Sequence, residues 1–313
     1  MAASDLTLLG LRVVQQAAVL GSFSAAGEAL GYTQSAVSRQ VAAIEAAAGA
    51  PLFDRLARGV RLTEAGTVLV EHATAAFAAL DEAETAIARI RDRLAGRLVL
   101  GSIPAAMTVL VPRAIARLSR VNPDLEVLLR AYSTPTVVQQ VRDGLVDVGV
   151  IAVGEELPPY DLEGLRCDVL LIGELRVAVP ADHRFAGRDR VHVDEIRREP
   201  WIVSEADGED EPIFGAWPTL TDARVSYAVR DWPSRLGMVA AGLGIAVMPN
   251  IGAASVPSGV VVIDVEDPAH SKRSAVALTP EAPTAAARAM VSALRTEAAR
   301  IALFRSGSDR VEG

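Results

Sequence analysis

The segment Gly21–Glu45 constrains this chain more than any other, because it encodes two short helices joined by a turn too tight for much variation. Phe23, Ala26 and Leu30 give the first helix one apolar face. Gly31 ends it, since glycine enters the left-handed conformation of a helix exit without a Cβ clash. Thr33 is placed to cap the next helix through its hydroxyl. In that second helix Val37, Val41, Ile44 and Ala48 recur at helical spacing and share a face. The opposite face holds Ser35, Ser38, Arg39, Ala42 and Ala46, small or polar groups with no carboxylate among them. A face of this kind can approach base edges in a DNA major groove and exchange hydrogen bonds with them. A solvated α-hairpin has the same spacing, so this segment alone leaves both readings open.

The next stretch favours DNA. Pro51-Leu52-Phe53 and Arg55 through Thr63 read as a short hairpin, or wing, whose Arg55, Arg58 and Arg61 can reach phosphates or a minor groove. Together these elements resemble the LysR-type transcriptional regulators. The matching residues are Gly21-Ser22-Phe23, Ala26, Leu30, Gln34, Val37-Ser38-Arg39, Ile44-Glu45, Leu52-Phe53, Arg55 and Leu62-Thr63-Glu64-Ala65-Gly66. The resemblance is dense over about 65 residues and looser after residue 97. It implies a winged helix-turn-helix over 1–63 with DNA contacts from Thr33, Gln34, Ser35, Ser38, Arg39, Arg55, Arg58 and Arg61. Two positions depart from the family pattern. Gly27 stands where a second alanine is usual, at an expected cost to the helix of about 1 kcal/mol. Ser35 replaces a common proline and alters what the first turn offers a base.

The charge balance agrees with a local DNA-binding face. The whole chain of 313 residues carries a net charge of −8, which argues against indiscriminate nucleic-acid binding. Within residues 1–66 the five arginines 12, 39, 55, 58 and 61 balance the five acids 5, 28, 45, 54 and 64, and three of the arginines fall in the wing. Met1–Asp5 lacks a basic n-region and an apolar h-region, and no run of about 18 apolar residues occurs. We therefore expect no signal peptide and no membrane partner, and a cytoplasmic location.

Thr63 is placed to start a long helix running from Glu64 to about Leu94. Leu69, Ala73, Ala76, Leu80, Ala83, Ile87, Ile90 and Leu94 follow alternating steps of four and three, the seam of a coiled coil. A helix lying on its own domain would share part of this pattern. Its length, with neither Gly nor Pro past Gly66 in its first turn, and the resemblance both favour a linker helix over 64–95 that pairs two subunits as a homodimer or homotetramer.

From Arg97 strands and helices alternate, which implies βαβ units and a parallel sheet. Strands are expected at 97–102, 125–131 and 146–151, and helices at Pro104–Val121 and 135–143. The resemblance implies a two-lobed α/β effector domain over 96–313, built like a periplasmic solute-binding protein. Lobe one would span about 97–160 and 273–305, and lobe two about 161–272. A small-molecule effector would bind between the lobes, near Ser102, Ser133, Thr134, Ser204 and Trp232, where strands run into helix N-termini that favour anions. Any one of these hydroxyls also reads as an ordinary N-cap. Glu205–Glu211 places five acids in seven residues beside Ser204. It is a solvated loop, or a charge at the cleft mouth that repels carboxylates. Cys167 lies in an apolar pattern and reads as an inert thiol. His72, His183, His192 and His270 lack ligand spacing, so no metal and no cofactor is expected, and no catalytic residue. RNA polymerase is a further partner consistent with the resemblance. A soluble α/β binding protein or enzyme, its N-terminal helices serving assembly alone, is the other reading.

Overall fold

The computed structural model describes residues 6–56, 59–91, 94–154, 157–173, 175–205, 215–270 and 273–308. The head begins with α1 (Leu8–Leu20), α2 (Phe23–Leu30) and α3 (Gln34–Ala48), followed by the wing strands β1 (Phe53–Arg55) and β2 (Val60–Leu62). Val13, Val14, Ala17, Ala26, Val37, Val41, Ile44 and Leu52 form its buried core. Each of the three helices ends on a glycine in the left-handed region, Gly21, Gly31 and Gly49. The expected cost at Gly27 is corrected by its surroundings. A Cβ there would sit 2.6 Å from the Tyr32 carbonyl oxygen, so the tight turn requires glycine.

The linker helix α4 (Glu64–Arg91) starts where expected, with Thr63 Oγ1 accepting from Gly66 N at 3.0 Å. It packs along α1 and α10. Its seam is divided. Ala73 is buried with Leu11 and Phe77, and Leu69 packs against them, whereas Ala76, Leu80 and Ala83 face outward. Leu94 lies past the helix end and packs on the effector-domain core instead of continuing the seam. The side chains of Ile87 and Ile90 lie outside the described residues.

The effector domain runs β3 (Gly96–Ser102), α5 (Pro104–Met107), α6 (Leu110–Val121), β4 (Leu125–Ala131), α7 (Thr134–Arg142), β5 (Val148–Val153), β6 (Leu165–Gly173), β7 (Leu175–Pro180), β8 (Arg190–His192), α8 (Val193–Ile196), β9 (Trp201–Ser204), β10 (Val225–Val229), α9 (Trp232–Ala240), β11 (Ala246–Pro249), a 3-10 turn (Asn250–Ser255), β12 (Val260–Glu266), β13 (Arg273–Pro280) and α10 (Ala285–Ser308). The single helix expected at Pro104–Val121 is two, because the chain turns at Thr108-Val109, with Val109 outside the helical region.

The first sheet has the order β4-β3-β5-β13-β6. Strands β3, β4 and β5 are parallel, as the βαβ pattern requires, but β13 runs antiparallel to both its neighbours. The sheet is mixed because β13 brings the chain back from the second lobe. Strand β6 pairs with β13, so residues 165–173 belong to lobe one and the boundary expected at 161 moves to about 174. The second lobe holds β11-β7-β12-β8, and a β10-β9 pair joined to it through Trp201 and Ile245. Two short crossings, at 173–175 and 266–273, connect the lobes. A buried ion pair between Arg295 and Asp168 clips α10 to β6.

Candidate DNA-binding face and effector cleft

Helix α3 presents the polar face that its sequence encodes. Thr33 caps it, accepting from Ala36 N at 3.3 Å, and its hydroxyl meets that of Ser35 at 3.0 Å. Gln34, Ser35 and Arg39 are exposed and Ser38 is half-buried, while Val37, Val41 and Ile44 point into the core. Apolar burial on one side thus fixes which side chains the other side offers.

One contact tying wing to helix escaped the motif reading. The Glu45 carboxylate accepts from Leu52 N at 2.8 Å and Phe53 N at 3.4 Å, closing the start of the wing onto α3. The ring of Phe53 meets Phe23 edge-on at 5.4 Å. Gly66 is packed so tightly against the wing that a Cβ would lie 2.1 Å from the Leu52 carbonyl oxygen. Arg55 is exposed on β1. Arg61 ion-pairs with Asp54 at 3.5 Å. Arg58 lies outside the described residues.

Between the lobes lies a cavity of about 470 Å³. Ser133, Thr134, Ser204 and Trp232 all line it, so residues from three separate strand ends meet at one place. Ser102 does not. It is fully buried at the end of β3, and its hydroxyl donates to the Ile103 carbonyl at 3.1 Å. The short helix after it has no side-chain cap, so the serine serves its own backbone. Thr134 is buried at the first position of α7, and Ser133 Oγ is 2.9 Å from Thr136 Oγ1. Asp231 caps α9 by accepting from Ser234 N at 2.8 Å, and the Ser234 hydroxyl, followed by that backbone N–H, holds its carboxyl pKa below the usual value.

The cleft also contains groups the motif reading passed over, namely Arg230, Arg235, Asn250 and Arg273, with Ile103, Met107, Leu171 and Ile251 as apolar wall. No motif marks these residues, since they come from the start of α9, the 3-10 turn and β13. Arg235 is 2 % exposed and its guanidinium lies 4.9 Å from the Trp232 ring centroid. Burial pushes its pKa down to about 10, with the Asp231 charge opposing that shift. Glu205 reaches Arg230 at 3.8 Å at the rim. The rest of the acidic segment, through Glu211, lies outside the described residues. The Cys167 thiol is pushed up to about 12 by burial and by neighbouring Asp168.

A larger hollow of about 860 Å³ separates the head from the effector domain, bordered by Arg61, Tyr160, Glu266 and Pro268. It shares Leu157, Leu175 and Ser274 with the interlobe cleft, so the two spaces adjoin.

A DNA-reading head joined by a long helix to a two-lobed ligand-binding domain is the build of a ligand-responsive regulator. The family comparisons agree. A model described as a bacterial regulatory helix-turn-helix protein of the lysR family matches residues 8–67, and one described as the LysR substrate binding domain matches 91–299. The chain belongs to the LysR family of transcriptional regulators, with a DNA-binding and an effector-binding domain. Among relatives, a probable RuBisCO transcriptional regulator of Cyanidioschyzon merolae is 34 % identical over 192 residues, 61 % of this chain and 63 % of that one. Another so described, from Emiliania huxleyi, is 29 % identical over 266 residues, 84 % of this chain and 83 % of that one. The matches to the first listed of these relatives span 60–63 % of their length. Two solved structures share the fold along almost their whole length. Oxidized OxyR of Corynebacterium glutamicum has a TM-score of 0.55 at 22 % identity, covering 98 % of this chain and 96 % of that one. BenM has a TM-score of 0.55 at 20 % identity, covering 96 % and 98 %. Among the described residues no helix is long and apolar enough to cross a membrane.

Proposed function

We propose that this chain binds specific DNA sequences as a dimer or larger homo-oligomer, and that a small effector bound between its lobes sets that activity. The observation that carries the reading is the outward face of α3. Gln34, Ser35, Ser38 and Arg39 stand together on it, while Val37, Val41 and Ile44 on the other face are buried and Ala48, at the helix end, is exposed. Thr33 contributes at the helix start, and Arg55, Arg58 and Arg61 supply the wing contacts to the DNA backbone or minor groove. The exposed Ala76, Leu80 and Ala83 support pairing through α4, with small residues allowing close approach. Ser133, Thr134, Ser204 and Trp232, joined by Arg230, Arg235, Asn250 and Arg273, make up the effector site. Such a regulator acts in the cytoplasm, with RNA polymerase as its downstream partner. Titrating the protein against DNA from upstream of its own coding region, at several salt concentrations, tests the reading. A specific complex should form whose affinity falls linearly with the logarithm of salt. Equal affinity for unrelated DNA would refute it.

A further inference from the structure

The effector reading leaves open which molecules the cleft accepts, and its lining restricts the choice. Among the described residues, the guanidinium groups of Arg230, Arg235 and Arg273 line the cavity together with the Asp231 carboxylate, and Arg230 is paired with Glu205 at the rim. Asp231 turns its charge toward the start of its own helix, where it accepts from Ser234 N. Arg235 is held in place by burial and by the Trp232 ring, so its charge sits in a medium where electrostatic attraction is strong. The helices α7 and α9 both begin at the cleft, and their N-termini add positive potential of the same sign. An independent sign of a missing acceptor comes from Asn250. Its side chain is 4 % exposed, it lines the cleft, and its amide Nδ2 is buried without a hydrogen-bond partner. A buried donor left unmet is costly, and an incoming acceptor removes that cost.

Ile103, Met107, Leu171 and Ile251 make an apolar stretch of the wall, and Thr108, Ser133, Thr134, Ser204 and Ser274 also line the cavity. The apolar stretch suits a hydrophobic body, and the buried Arg235 disfavours a cation.

We propose that the cleft selects small monocarboxylates with an aromatic or branched aliphatic body, the carboxylate taken by Arg273, Arg235 and the Asn250 amide, and the body by the apolar wall and Trp232. The proposal rests on the effector reading of the cleft and adds its ligand class. It also gives Glu205 a role. Glu205 on Arg230 is an internal carboxylate at the rim, which an incoming acid must displace or pass.

The test uses the full-length protein and matched probes: phenylacetate with phenylacetamide, 4-methylpentanoate with its amide, and a wider panel of such pairs, with inorganic phosphate as a separate arm. Thermal shift and calorimetry are read for each. At least one acid should bind and its amide should bind about ten- to a hundred-fold more weakly, the loss expected when a charged hydrogen bond becomes neutral. Arg273→Gln and Asn250→Ala should each weaken the acid about tenfold or more while leaving amide binding unchanged. Asn250→Ala guards against a folding defect in the arginine variant. Amides that bind as tightly as their acids, phosphate binding in place of the acids, or no acid binding across the panel would overturn the monocarboxylate class. An acid that binds with full affinity to Arg273→Gln, Asn250→Ala and Trp232→Ala alike would show instead that the cleft itself is not the effector site.

Discussion

Arg61 in the wing donates through Nη1 to the carbonyl oxygen of Pro268, 3.4 Å away and 207 positions later in the chain. Pro268 lies in the second crossing between the lobes, which must move if the lobes close on a ligand. A residue expected to meet DNA is thus joined directly to the hinge of the effector domain. The exposed Asp54 pair adds little energy to this arrangement.

Arg61→Ala should therefore act in two ways. DNA affinity should fall on every sequence tested, with the salt slope reduced by about one. The change in DNA affinity caused by effector should also shrink, because one link between hinge and wing is gone. Fluorescence anisotropy with and without effector reads both. An unchanged effector response would mean that the Pro268 contact carries no signal.

Arg39→Ala should behave differently, since Arg39 stands on the exposed face of α3. A loss of about 1–3 kcal/mol on the specific site, with little loss on random DNA, is expected for a base contact. Equal losses on both would assign Arg39 to the phosphate backbone.

Two glycines should resist a single added methyl. Gly27→Ala meets the Tyr32 carbonyl oxygen at 2.6 Å and Gly66→Ala meets the Leu52 carbonyl oxygen at 2.1 Å. Both obstacles are backbone, so each variant should destabilise the head by about 1–3 kcal/mol. Gly187→Ala, with nothing within 4 Å, is the neutral control. Urea denaturation of the three variants compares them directly.

Leu80→Asp should dissociate subunits without unfolding them. Leu80 is 44 % exposed within the chain, so the charge reaches water in the separated protein. Sedimentation should show a smaller species with an unchanged circular dichroism spectrum. A variant that sediments like the wild type would exclude this face of α4 from the interface.

Cys167 supplies a test of pH dependence. Its thiol pKa is raised from 9.0 to about 12 in the folded protein. The folded state keeps a proton that the unfolded chain releases above 9, so the associated stability is complete below pH 9 and is lost as pH rises toward 12. The slope approaches about 1.4 kcal/mol per pH unit within that window. Cys167→Ala should remove this part of the decline above pH 9, as measured by urea midpoints. Iodoacetamide should label the native wild type far more slowly than the unfolded chain.

The head was legible in its own residues because every determinant is local. Helix spacing placed Val37, Val41 and Ile44 inside, so Gln34, Ser35 and Arg39 had to face out, and Gly31 and Thr33 marked the turn between the helices. The strand–helix alternation from Arg97 gave the α/β class in the same way, and the resemblance supplied the two lobes. Tertiary structure decided what depends on distant segments meeting. It moved β6 into the first lobe by pairing it with β13, split the helix after Pro104, and buried Ala73 against Leu11 while leaving Leu80 exposed. It withdrew Ser102 into the core and brought Arg230 and Arg235, from the start of α9, to one cavity with the distant Asn250 and Arg273. Periodicity reports the face a residue turns within its own helix or strand. What lies across that face depends on how the chain returns, and that is settled only by packing the whole fold.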